Sequence, residues 1–367
     1  MAKIMLAKFG SALAKPTWAV DQPAVPVVSP ELYKRKFIIK AKRPKASYVA
    51  ADAAANSTRL AREQEEFAED PEDANANEEL AAAKKKGDEA QKKMTVAKEL
   101  ADLVIMSSKH YKNNDMDQTA YAHEVCSLGE SKSAGISQAD VVAYREYNKL
   151  RLTRVFPSGA RVNSSNMHPQ EHWDGGCQLV AMNWQDHNGY PLRFYKGRFH
   201  ENGNSGYLLK PLYMRDKTVH APQEASVNLT VTVLSAMALP KPKSSEKGEI
   251  VDPYVFMYLE GPSLKSNDKY RTETIQNNGF HPVWQGDKTK TTFEVPVPSM
   301  TTLVVQIFDS DGHPGGVGDD LLAEAFLPVH LLRGGLRVVP LWTVGHKALK
   351  GSFLMANFQF DGKPAAQ

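Results

Sequence analysis

The chain has 367 residues, 42% of them hydrophobic and 24% charged, with a formal net charge of +3 at pH 7. That length accommodates two domains and a connecting segment, and the balance is that of a globular protein, with too little excess charge to argue for a nucleic-acid partner. Two cysteines, Cys126 and Cys177, exclude a disulfide scaffold; neither has metal-ligand spacing, and both read as buried thiols of a reducing cytosol.

No stretch is long and apolar enough to span a bilayer. Residues 1–13 carry lysines among apolar residues at helical spacing. They predict an amphipathic helix with Ile4, Leu6, Phe9 and Leu13 on or near one face, running into Pro16. A long apolar core and a small-residue cleavage site are missing, so the segment reads better as an amphipathic helix than as a signal peptide. A chain that opens on an uncapped helix is expected to have lost an upstream part.

Residues 17–36, rich in proline and valine, predict a loop, and Lys36 to Lys42 a short buried strand with basic residues at its exit. From Ala46 to Ala97 the composition changes: acids crowd Glu63 to Glu79, bases crowd Lys84 to Lys93, and alanine fills the gaps. Such core-poor sequence cannot offset the entropy of ordering, and it predicts a linker that is either disordered or a lone solvated helix. Apolar strands are expected over Leu100–Met106, Leu152–Pro157 and Cys177–Trp184, and a helix over Gln138–Asn148, started by Ser137 with Asp140 three residues on. Strands alternating with helices predict parallel α/β packing.

After Pro222 the texture becomes all-β. Short strand-like runs at 227–234, 253–259, 291–297, 303–308, 323–327 and 352–360, divided by turn residues, predict an antiparallel sandwich. The glycosylation-like triplet Asn228-Leu229-Thr230 lies within the first of these runs and reads as chance.

Longer strings carry a family resemblance. They are Arg154-Val-Phe-Pro-Ser-Gly-Ala-Arg-Val-Asn-Ser-Ser-Asn166, Trp173-Asp-Gly-Gly-Cys-Gln-Leu-Val-Ala-Met-Asn183, and Gly206-Tyr-Leu-Leu-Lys-Pro211. This stretch closely resembles the second half, the Y region, of the eukaryotic phosphoinositide-specific phospholipase C barrel. Upstream, Ser29-Pro30-Glu31 and Phe37 to Lys42 resemble the last strand of the family's X region, and the charged segment resembles the variable linker between the two. From about Ala225 the chain resembles the C2 domain that follows the barrel. The resemblance implies a multidomain α/β partial TIM-type barrel followed by an all-β C2 sandwich. The expected boundaries are 1–45 for the end of the X half, 46–97 for the linker, 98–218 for the Y half and 225–362 for the C2 domain.

In that family the active site sits at the C-terminal ends of the barrel strands. Carried over, the resemblance places Lys40, Lys42, Ser127 and Arg154 around the ring phosphates of an inositol bisphosphate headgroup. Arginine would act as a planar fork, lysine as a point charge and serine as a hydroxyl donor. Phe156 stands where the family usually has a tyrosine that packs on the inositol ring; it keeps the apolar face and loses the hydroxyl, with plain core packing as the other reading. Trp173, Gly175 and Gly176 read as structural. The family's two catalytic histidines and its active-site calcium ligands belong to the X region, expected upstream of Met1. His110, His123, His168, His172 and His200 do not stand in that context.

For the C2 domain the resemblance implies a calcium site of carboxylate and carbonyl oxygens from Asp252, Asn277, Asp309 and Asp311, completed by Asp319 or Asp320. Turn aspartates without a ligand are the other reading. Lys241, Lys243 and Lys247 stand in the first loop, as an anionic-lipid contact or a plain solvated loop. The expected function is calcium-dependent hydrolysis of phosphatidylinositol 4,5-bisphosphate to diacylglycerol and inositol trisphosphate by a cytoplasmic, peripherally membrane-associated enzyme. The missing X half would be needed for activity. The alternatives are a non-catalytic calcium- and phospholipid-binding C2 protein and an inactive phospholipase-like regulator.

Overall fold

The structure, a computed structural model, describes residues 1–14, 30–42, 54, 57, 85, 98–111, 123–204, 206–222, 224–242, 250–264, 269–311 and 318–362. The linker expected at 46–97 falls almost entirely outside them, as do Lys243 and Lys247. Contacts divide the chain into two compact units, Met1–Ser127 with Leu150–Arg154, and Leu128–Lys149 with Val155–Gln367.

The first unit opens with helix α1 (Ala2–Phe9), which ends at Gly10 and continues as a 3-10 turn. Phe9 stacks on Phe37, ring centroids 4.4 Å apart, and Leu13 bridges to Phe37 in parallel. Strand β1 (Ile39–Ala41), the short helix α2 (Lys98–Ala101), strand β2 (Val104–Lys109) and strand β3 (Glu124–Gly129) follow. β1 pairs in parallel with β2, and β2 in parallel with β3. β1 is shorter than the expected Lys36–Lys42 run and half exposed rather than buried, with Ile38 38% and Phe37 53% exposed just before it. Glu124, buried on β3, is neutralised by Lys109 at 2.8 Å and Arg151 at 3.3 Å.

In the second unit the single helix expected at 138–148 is two helices, α3 (Glu130–Ala139) and α4 (Val141–Leu150). Asp140 is extended between them, and its carboxylate accepts from the Ala143 N–H at 2.9 Å. That is an N-cap, so Asp140 rather than Ser137 starts the second helix. Strand β4 (Leu152–Phe156) crosses the division between units, its residues alternating between half-buried and buried. Helix α5 (Pro169–Asp174), strand β5 (Leu179–Val180) and helix α6 (Tyr190–Arg198) complete this region. β5 covers only two residues of the expected Cys177–Trp184 strand, tied by the Ala181 N–H to the Val155 carbonyl at 2.8 Å. Gly175 is required by close approach: a Cβ there would sit 2.7 Å from the buried Tyr144 ring.

The remainder is the sandwich, with strands β6 (Val227–Met237), β7 (Pro253–Glu260), β8 (Lys269–Arg271), β9 (Lys290–Val295), β10 (Thr302–Asp309), β11 (Asp320–Pro328), β12 (Gly335–Trp342) and β13 (Ala348–Asp361). Their order is β8-β7-β10-β11-β12-β13-β6-β9, and β11 meets β12 through the single pair Glu324 and Trp342. That narrow junction lets two four-stranded layers face each other. Alternation on β6 turns Val227, Leu229, Val231 and Val233 into the core, beside Phe293, Leu354 and Phe358 of the flanking strands. β10 is buried on both faces because α6 covers its outer side, where Phe194 packs with Val304 and Phe326.

Candidate functional site

Parallel strands leave their C-terminal ends free to carry polar groups. In the first unit Lys40 projects from β1, and its ammonium donates to the Ser127 hydroxyl on β3 at 2.9 Å, across 87 positions of sequence. Partial burial and, next to it, the Arg154 guanidinium hold the Lys40 ammonium below the usual lysine range. Two cations close enough to repel form a patch where an anion would lower the energy of both. Lys42 follows β1 and is exposed. Phe156 belongs to the second unit, where its ring lies 4.0 Å from where a Cβ at Gly129 would be. The structure thus groups Lys40, Ser127 and Arg154.

The loop following β4 is held by a contact the sequence did not single out. Glu130 accepts from the Arg161 guanidinium through both oxygens, at 2.6 and 2.7 Å, and from the Ser158 N–H at 2.6 Å. The Arg161 hydrogen bond and then the Ser158 amide bring the Glu130 carboxyl below its usual range, against its burial. A charge pair 31 positions apart has no local signature in sequence.

The histidines of this region serve packing. His168 caps α5 and stacks on Tyr190 and Phe194, and burial lowers its pKa to about 4. His172 is buried with its Nδ1 3.1 Å from the Ser133 hydroxyl, in a network with Tyr144 and Cys177. Burial pushes the Cys177 thiol up to about 11, which makes it an unreactive core residue.

At one end of the sandwich the predicted calcium residues gather in part. Asp252 accepts from the Asn277 backbone N–H at 2.5 Å, and the buried Asp309 accepts from the Asp252 N–H at 2.7 Å. Asn277 therefore contributes its main chain, at φ 54°, to Asp252. Asp311 enters through Asp319, which accepts from the Asp311 N–H at 3.0 Å and the Tyr254 hydroxyl at 2.8 Å. Arg271 lies over the Tyr254 ring at 3.7 Å. The donors are the hard oxygens calcium prefers, but several are engaged by backbone amides. Among the described residues, no three His, Cys, Asp or Glu side chains form a metal-ligand group. Beside these loops a concavity of about 350 Å³ is lined by Leu239, Lys241, Ile250, Val251 and Phe280. Among the described residues no helix is long and apolar enough to cross a membrane.

Comparison with known proteins agrees with this architecture. Residues 100–213 match the Y domain of phosphatidylinositol-specific phospholipase C, and residues 227–339 match the C2 domain. The chain is 34% identical over 262 residues to the rat (Rattus norvegicus) inactive phospholipase C-like protein 1, covering 68% of this chain and 23% of that protein. It is 30% identical over 324 residues to the human (Homo sapiens) 1-phosphatidylinositol 4,5-bisphosphate phosphodiesterase delta-1, covering 85% of this chain and 41% of that one. The crystal structure of PLC21 from S. officinalis superposes on the whole chain with a TM-score of 0.74 at 23% identity, over 43% of its own length. The chain spans about a quarter to two fifths of the length of these curated relatives. By its Y domain, its C2 domain and its relatives, the chain belongs to the phosphoinositide phospholipase C family, which includes phospholipase C-like members.

Proposed function

We propose that this chain is the Y-half and C2 portion of a phosphoinositide phospholipase C, and that Lys40, Lys42, Ser127 and Arg154 bind the ring phosphates of phosphatidylinositol 4,5-bisphosphate. On this reading residues 1–45 and 98–218 belong to a distorted TIM-type barrel, joined by a linker at 46–97, and 225–362 is the C2 domain. The observation that carries it is the Lys40–Ser127 hydrogen bond between β1 and β3, with the Arg154 charge near Lys40. Phe156 would offer the ring an apolar face without a hydroxyl. Hydrolysis to diacylglycerol and inositol trisphosphate would require the family's X half, to which the acid–base histidines belong. The carboxylates of Asp252, Asp309 and Asp311 would hold calcium at the sandwich end, and the ion would supply positive charge toward an anionic, cytoplasmic membrane surface.

The second reading is a phosphoinositide-binding, non-catalytic regulator, favoured by the similarity to a relative named inactive. Vesicles containing phosphatidylinositol 4,5-bisphosphate separate the two, with calcium or a chelator present. The chain is assayed alone and mixed with an X-region fragment of a relative. Inositol trisphosphate release only in the mixture supports the enzyme. Binding without release in either supports the regulator. Lys40→Ala and Arg154→Ala should each weaken vesicle binding about tenfold or more, the worth of a charged hydrogen bond. Binding unchanged in both variants would remove the basis of either reading.

A further inference from the structure

His200 and His346 are 146 positions apart in the sequence, yet their Nε2 atoms lie 3.0 Å from each other. His200 sits in the 3-10 turn Phe199–Asn202 that follows α6, and His346 in the turn between β12 and β13. The ring centroids are 4.8 Å apart, so the two nitrogens are the nearest parts of the rings. Neither ring is free to choose its place. His200 stacks on Trp342 at 4.4 Å, and Trp342 lies nearly parallel to His346 as well, at 17°. The His346 backbone is in the left-handed region, φ 57°, where a glycine would be easier. It is held there by its N–H to the Thr343 carbonyl at 2.8 Å and by the Thr343 N–H to the Lys347 carbonyl at 2.9 Å. The contact itself is an imidazole–imidazole hydrogen bond, and a shared cation would take the place of its proton.

A nitrogen pair at this distance suits a shared cation. With metal–nitrogen bonds of about 2.0–2.1 Å, an ion equidistant from both nitrogens sees them roughly 95° apart. That is close to the right angle between neighbouring ligands in square-planar or octahedral coordination, the geometries of Cu²⁺ and Ni²⁺. A tetrahedral Zn²⁺ ion would need the nitrogens about 3.3 Å apart, a small ring shift. We propose that His200 and His346 form a two-imidazole site for a borderline divalent transition-metal cation, with water in the remaining positions. Among the described residues no third His, Cys, Asp or Glu joins them, which makes this an accessory site rather than a closed structural one. Its occupation ties the segment after α6 to the β12–β13 turn and so stiffens the unit that contains both.

The test uses the full chain, free of any histidine tag, and nickel chloride or copper chloride alone. Two readouts are followed, the thermal unfolding midpoint and tryptophan fluorescence, which a paramagnetic ion beside Trp342 quenches. At a metal concentration about a hundredfold above Kd the midpoint should rise by roughly 5–10 °C. His200→Gln and His346→Asn should each weaken the response at least tenfold; asparagine is chosen because it tolerates the left-handed backbone. Trp342→Phe should abolish the quench and keep the midpoint rise. His281→Gln, an exposed histidine elsewhere in the sandwich, should behave as the parent. Metal-free midpoints close to the parent's show that the variants fold, and a variant failing that criterion is replaced by the fluorescence titration of the other. No saturable response up to about 1 mM metal, or the parent's response in both histidine variants, overturns the proposal.

Discussion

Charge is arranged differently in the two units. In the first, Lys40 has a hydroxyl and a second cation, Arg154, as its neighbours. In the second, the Arg193 guanidinium meets the Glu324 carboxylate at 2.5 Å with both side chains buried, at the strand junction where Glu324 pairs with Trp342. Two cations that repel each other mark a place where an anion would be stabilised, whereas the buried opposite pair is joined by one short contact that leaves Arg193 Nε and Glu324 Oε1 buried without a hydrogen-bond partner among the described residues. Function and architecture are therefore separable by mutation.

The largest effect is expected at the buried pair. Arg193→Ala leaves the Glu324 carboxyl inside the protein without its cation and should cost about 3–5 kcal/mol in urea unfolding. Replacing both partners with apolar residues of similar size should recover most of that loss. A small loss for the single variant would mean that Glu324 is already protonated, in line with the burial that raises it to about 7 against the pull of Arg193.

Gly197 on α6 faces Phe326, and a Cβ there would overlap the phenylalanine ring. Gly→Ala in an open helix is worth up to about 1 kcal/mol of stabilisation. Here overpacking should win and cost about 1–3 kcal/mol. An increase in stability would show that α6 does not press on β11 as closely as drawn.

A third change reads pH. The half-buried Asp174 carboxyl is raised by desolvation to about 7, despite a hydrogen bond from Gln170 at 2.7 Å. The folded state holds a proton that the unfolded chain loses near pH 4, so this group's contribution is complete below about pH 4 and is lost as pH rises to about 7. His168, lowered to about 4, acts with the opposite sign, losing stability as pH falls from about 6.5 to 4. The informative quantity is thus the difference between parent and Asp174→Asn across pH 4 to 8. The variant should gain relative to the parent as pH rises, and a flat difference would place Asp174 in water.

The smallest effect on stability is expected at Lys40. It is exposed, so Lys40→Ala should shift unfolding by no more than about 0.5 kcal/mol while weakening vesicle binding as described above. Loss of folding together with binding would make Lys40 a structural residue.

Local pattern was enough for much of the fold. Alternation at 227–234 and 352–360 marked real strands because a half-buried strand repeats every two residues. β12 escaped because its outward face carries Leu336 and Val338, each 56% exposed, and Pro340 interrupts it. The Cys177–Trp184 run looked like a full strand, yet only Leu179–Val180 pairs, because pairing depends on how far β4 extends beside it. The resemblance to the family implied Lys40, Lys42, Ser127 and Arg154 in the barrel and Asp252, Asn277, Asp309 and Asp311 in the C2 domain.

What the sequence determined by itself are the properties with short range: strand period, turn chemistry and the idiosyncratic strings of the Y region. Only the tertiary structure decided which polar groups meet. Lys40 reaches Ser127 across 87 positions, Arg193 reaches Glu324 across 131 and His200 reaches His346 across 146. Such partners are chosen by strand register and helix packing summed over the whole unit, and no local window of sequence contains both members of a pair.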